Sequence, residues 1–87
     1  MLITDKQHAL KAFFLAKGFQ PSGDWSFKKR SSNGLMYRYS IRQRVLRFER
    51  MRRDSEGRIH WDRVRSAGLA SVSITPENKI KAAWRFS

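Results

Sequence analysis

The sequence predicts an α+β domain: an N-terminal helix packed on an antiparallel meander of about five strands. Three observations lead there. Apolar residues keep helical spacing only as far as Lys17; beyond Gly18 they recur every second residue, as half-buried strands require; and short turn signals separate the alternating runs, which sets consecutive strands side by side. Eighty-seven residues leave room for one core, so residues 1–87 read as a single small basic domain.

Thr4-Asp5-Lys6-Gln7 fits a capping box, with Thr4 as N-cap accepting from the Gln7 amide and the Gln7 side chain reaching back. Leu10, Phe13 and Phe14 follow at helical spacing, with Ala9 and Lys17 at the margins, and Gly18 supplies the left-handed stop. The predicted helix covers about residues 5–17. Its apolar stripe is narrow and aromatic, so it should lie on one face of a sheet.

After Gln20-Pro21-Ser22-Gly23, Trp25 and Phe27 alternate with Ser26 and Lys28, Ser31-Ser32-Asn33-Gly34 carries an Asn-Gly hairpin signal, and Leu35, Tyr37, Tyr39 and Ile41 resume the alternation. Residues 24–42 therefore read as a hairpin. From Gln43 the phase changes, because Leu46 and Phe48 put the apolar side chains at even positions. One flat strand cannot hold both sets on one face. The favoured reading is a strand bent or bulged near residues 43–45; the alternative is a second helix capped by Ser40, with Ile41, Val45, Phe48 and Met51 on one side. Asp54-Ser55-Glu56-Gly57 is a turn, after which Ile59 and Trp61 alternate. Ala70, Val72 and Ile74 alternate with serines. Thr75-Pro76-Glu77-Asn78 reads as a type I turn with Asn78 left-handed, rather than a helix start, because Ile80, Ala82, Trp84 and Phe86 hold a period of two.

Charge carries the functional signal. Lys and Arg number 19 against 7 Asp and Glu, a formal charge of +12. Six arginines fall within Arg42–Arg53 alone: Arg42, Arg44, Arg47, Arg50, Arg52 and Arg53. Such a surplus opposes compaction, and the planar guanidinium fork matches phosphate and carboxylate, so a polyanion is the expected partner. Strand alternation should turn Arg38, Arg42 and Arg47 away from the aromatic side, with Arg58, Arg63 and Arg65 joining from the hairpin partner. Lys28, Lys29 and Arg30 end the first strand beside a flexible tip that suits a groove or a backbone. A solvated face that merely keeps the chain apart from its copies is the plainer reading of the same charges.

Eleven aromatics in so short a chain exceed what a disordered basic tail carries, and most must build the core. Tyr37, Tyr39 and Trp61 are the least securely buried candidates for base stacking. His8 and His60 stand far apart with few carboxylates between them. A nuclease role for His60 with Asp62 is the minor reading, and no metal site, cofactor or catalytic residue is expected. Cysteine is absent, and the five glycines are dispersed rather than gathered into a phosphate loop. No apolar run is long enough to span a bilayer and the N-terminus lacks leader features, so a cytoplasmic location without membrane contact is expected.

The order of helix, Gly18-Phe19, strand and strand resembles the first half of double-stranded-RNA-binding-like folds, including small toxin ribonucleases. The resemblance covers about half the chain. The basic second helix and the histidine of those families have no counterpart here, so no family is assigned. The expectation is a non-enzymatic domain that binds DNA or RNA through phosphates. Its competitor is a small phage or mobile-element protein docking its basic face on an acidic host protein. The apolar, alternating Ile80–Phe86 segment is a pairing edge that allows a homodimer.

Overall fold

The computed structural model describes residues 3–86; Met1 and Leu2, where the leader reading begins, lie outside them. Helix α1 spans Ile3–Ala16, followed by strands β1 (Gln20–Pro21), β2 (Ser26–Arg30), β3 (Met36–Arg42), β4 (Val45–Arg53) and β5 (Ile59–Gly68). A 3-10 turn at Leu69–Ser71 leads to β6 (Ser73–Ile74), β7 (Ile80–Lys81) and β8 (Arg85–Phe86). Strands β1 to β5 pair antiparallel in chain order, β8 joins the edge of β5, and β6 pairs with β7 in a separate ribbon. The helix-on-meander α+β fold is the one the sequence predicts, with six strands in the main sheet.

The start of α1 differs from expectation. Thr4 lies inside the first turn rather than at the cap, and Gln7 does not fold back: its Nε2 donates to the Gln43 carbonyl at 2.7 Å. That carbonyl sits in a two-residue turn outside the strand ladder, so a long-range partner takes the side chain the capping box would have used. The helix end is as predicted. Gly18, at φ +87°, closes a Schellman motif in which its amide donates to Leu15 at 3.1 Å and the Phe19 amide to Phe14 at 3.0 Å. The Phe19 ring then packs edge-on against Phe14, the hydrophobic contact this motif favours.

Neither a bent strand nor a second helix occupies residues 41–53. Arg42 pairs with Val45, so Gln43 and Arg44 form a two-residue hairpin turn between β3 and β4, with Gln43 at φ +55°. This tight turn accounts for the phase change, because it sets Ile41 opposite Leu46 and Tyr39 opposite Phe48 on one face. The bulge lies elsewhere. Phe48 faces Arg65 while Glu49 faces Arg63, which leaves Val64 as the extra residue of β5.

The C-terminal expectations need correction too. Leu69–Ser71 coils into the 3-10 turn, and only Ser73–Ile74 is extended. The predicted turn is present, with Asn78 at φ +62° and its amide on the Thr75 carbonyl at 2.9 Å. Ile80–Phe86 is not one strand: it leaves the ribbon after Lys81 and re-enters the main sheet at Arg85. Ile80, Ala82 and Trp84 pack against the core, whereas Phe86 is 76% exposed. The break follows from the chain having to serve two sheets.

The core lies between α1 and the inner face of the sheet. Leu10 and Phe14 meet Phe27, Ile41, Leu46 and Ala67, and Leu69 and Val72 close one end. Phe14 is the hub, stacked on Phe27 at 5.4 Å and on Tyr39 at 4.8 Å between centroids. Each such side chain contributes roughly 1.5 to 3 kcal/mol by leaving water. No helix among the described residues is long and apolar enough to cross a membrane.

Candidate nucleic-acid interface

Register and bulge together decide where each cation stands. On the inner face, with Phe27, Tyr39 and Leu46, stand Lys29, Arg50, Arg52 and Arg65. The outer face, opposite α1, carries Lys28 and Arg30 of β2, Arg38 and Arg42 of β3, Arg47 and Arg53 of β4, and Arg63 of β5. Arg44 sits in the tight turn and Arg58 in the turn at the far end of the β4–β5 ribbon. Arg58 and Arg65 therefore leave the face that alternation expects for them, and Arg50 and Arg52, in step with Leu46 and Phe48, stand apart from the other arginines of the Arg42–Arg53 run. Val64 is the reason for Arg65: a continuous strand would keep positions 63 and 65 on one side, and the extra residue flips the phase between them. The two-residue turn does the same for Arg50 and Arg52, which fall in step with Tyr37 and Tyr39.

Sequence reasoning missed Arg85. It pairs with Ser66 of β5 and so joins the outer face as an eighth cation. A signal was available, since Arg85 alternates with the inward Trp84.

The outer face is organised around its one carboxylate. Glu49 is only 7% exposed, and Arg38 straddles it with Nε 3.0 Å from Oε1 and Nη2 3.3 Å from Oε2. Ser40 donates its hydroxyl to Oε1 at 2.7 Å. Having one proton, Ser40 must then accept from Ser26 across the 3.1 Å contact between their hydroxyls, and Ser26 accepts from Arg42 Nη2 at 3.3 Å. The polarised chain Arg42, Ser26, Ser40, Glu49 satisfies two buried serines on a face that no helix covers. Burial by itself would raise the Glu49 pKa. The hydrogen bonds from Arg38 and Ser40, with the charges of Arg38 and Arg47, outweigh it and hold the carboxyl below its ordinary value. The Arg38 guanidinium also lies 4.3 Å over the Trp61 ring, so Trp61 stands on the outer face capped by a cation.

Past the reach of α1, the inner face carries an exposed Arg52–Asp62 pair, Nε to Oδ2 at 2.7 Å, and at the ribbon tip His60 Nε2 meets Asp54 Oδ2 at 2.8 Å. His60 thus takes Asp54 rather than Asp62 as its partner. The His60 contact and the amides of Arg58 and Glu56 hold the Asp54 carboxyl below its ordinary value. Among the described residues no three His, Asp or Glu side chains gather into a metal site. Arg65 is held differently, between the rings of Phe48 at 5.0 Å and Trp84 at 4.4 Å, with its Nε buried and without a hydrogen-bond partner.

This chain matches no protein-family description, no curated protein and no solved structure.

Proposed function

We propose that the protein is a non-enzymatic nucleic-acid-binding domain that contacts phosphates with the outer face of its sheet. One observation carries the reading: among the described residues, an open face with eight Lys and Arg side chains and one carboxylate, Glu49, already neutralised by Arg38. Seven of those cations have no acidic partner on that face, and a polyphosphate backbone is the ligand that meets many interchangeable cations at once. The Glu49 network supports the reading from a second side. It fixes Arg38 and Arg42 in place, so less side-chain freedom is lost when a phosphate arrives. Shape rather than base edges would supply any preference.

Binding to duplex DNA and duplex RNA at increasing salt tests this. With about five phosphates neutralised, log K should fall against log salt with a slope of roughly −4 to −5, and Arg42→Ala, Arg47→Ala and Arg63→Ala should each reduce the slope by about one. A flat salt dependence would discard the phosphate reading.

A second reading has its own observation. Met51 pairs with Trp61 on the same face, beside Arg38, and Trp, Met and Arg are the side chains that anchor protein interfaces. An acidic protein surface would then be the partner. In that case Trp61→Ala should abolish capture while single outer Arg→Ala changes have small effects. An absorbance ratio at 260 to 280 nm that falls after a high-salt wash instead favours nucleic acid.

A further inference from the structure

The helix side of the molecule holds a second cationic site, and nothing in the outer-face reading uses it. A cleft of about 270 Å³ opens between the C-terminal end of α1, strands β3 and β5, and the β6–β7 turn. Its apolar lining is aromatic, with Phe19, Tyr37, Tyr39 and Trp84 among the rings. Four cations line it too, Lys17, Lys29, Lys79 and Arg65, and among the described residues no carboxylate does.

Four like charges around one small cleft repel each other in a setting that screens them less than open water. Two are fixed in place. Lys29 Nζ donates to the Lys17 carbonyl at 2.9 Å and lies 5.3 Å over the Phe19 ring. Arg65 is clasped between Phe48 and Trp84, its Nε buried and unpartnered, with the Tyr39 phenol as its polar neighbour. A half-buried guanidinium without an acid is a costly thing for so small a domain to keep. An anion in the cleft would compensate it.

We propose that this cleft binds a nucleotide, with the phosphate on the cations and the base against the rings. An inorganic anion would leave the aromatic lining unused, and an apolar ligand would leave four cations uncompensated; a phosphorylated planar base uses both. At about 270 Å³ the cleft lies just under the roughly 300 Å³ at which small-ligand sites begin, so it limits the ligand to one base and its phosphate at most. Asn78, at the rim, adds an amide with both a donor and an acceptor for a base edge. The nucleotide comes either free or as one unit of a single strand, and the chemistry of the site is the same for both.

The test is a titration of the intact protein with AMP, adenosine and inorganic phosphate at low salt, read by calorimetry and by the indole N–H resonances of the three tryptophans. AMP should bind roughly tenfold or more tightly than either fragment, since one stacked base and one phosphate contact are each worth about that factor. Its signal should fall on Trp84 and spare Trp61. Lys79→Ala should weaken AMP binding by roughly tenfold without a change in unfolding midpoint, because Lys79 is exposed; Lys81→Ala, which removes the same charge outside the cleft, should not. A 5′-phosphorylated oligoadenylate that binds more tightly than AMP with the same Trp84 signature identifies a strand as the source; equal affinity identifies the free nucleotide. AMP binding no better than phosphate, a response at Trp61 instead of Trp84, or equal losses from Lys79→Ala and Lys81→Ala would overturn the proposal. Duplex binding through the outer face is scored separately and stands or falls without it.

Discussion

The two faces of the sheet hold arginine by opposite means. On the outer face Arg38 and Arg42 are fixed by hydrogen bonds that run through two serines to one buried carboxylate. On the inner face Arg65 is fixed by two aromatic rings and has no carboxylate. The comparison teaches that a guanidinium can leave water along two routes with different consequences. The carboxylate route neutralises the charge and builds a rigid patch. The aromatic route keeps the charge and leaves it available to a ligand. Both faces carry charge, but the apolar core lies on the inner face alone.

The largest effect should come from breaking the inner face at its hub. Phe14 is fully buried and in ring contact with Phe13, Phe19, Phe27 and Tyr39, so Phe14→Ala should destabilise by roughly 3 to 5 kcal/mol in denaturant unfolding. Trp84→Ala should cost less, about 2 kcal/mol, because Trp84 is half-buried and part of the loss can be filled by water. A loss below 1 kcal/mol for Phe14→Ala would mean that the inner face does not hold the fold.

Next comes the outer network. Glu49→Gln keeps the shape and removes the charge, leaving Arg38 without its ion-pair partner. The expected loss at neutral pH is about 2 kcal/mol, under the roughly 3 to 5 of a wholly buried pair because the Arg38 side chain keeps 17% exposure. The sign of the pH dependence follows from the lowered Glu49 pKa. A depressed carboxyl contributes stability above its unfolded value and loses it as the pH falls through its folded value. The gap between wild type and Glu49→Gln should therefore be full at pH 7 and shrink progressively below about pH 4.3, the ordinary glutamate value. A gap that widens on acidification would show that the carboxyl is destabilised by burial, not held by its donors.

Much of this contrast was legible in the sequence and part of it was not, for local reasons. The helix stop at Gly18 and the turns at Asp54–Gly57 and Thr75–Asn78 announce themselves by residue type, and all three are where the sequence puts them. The turn at Gln43-Arg44 does not, because neither residue favours the positive φ that Gln43 adopts. Val64 gives no bulge signal either, since valine is an ordinary strand residue. The second of these silent features decides which face Arg65 occupies. Arg85 apart, the cations of the outer face were legible in the sequence, and so was the side of Arg50 and Arg52, which keep step with Leu46 and Phe48; the side of Arg65 was not. Glu49 was invisible for a different reason: one acid among six arginines looks like surface charge, and only the register places it opposite Arg38 beside Ser40.

The smallest expected effect sharpens the comparison most cleanly, because it holds the chemistry constant and changes only the surroundings. Arg38–Glu49 and Arg52–Asp62 are both two-pronged pairs of an arginine with a carboxylate. The side chains of the first are 17% and 9% exposed, those of the second 54% and 50%. Water screens the second pair and competes for both partners, and ordering two exposed side chains offsets what attraction remains. A double-mutant cycle on Arg52→Ala and Asp62→Ala should give a coupling that vanishes into error at about 0.5 M salt, where screening acts over only a few ångströms. The same cycle on Arg38→Ala and Glu49→Ala should keep most of its coupling there, since solvent ions cannot enter between the partners. If both couplings fade alike with salt, the outer face is as wet as the ribbon, and the Glu49 network is not the rigid support that the phosphate-binding surface needs.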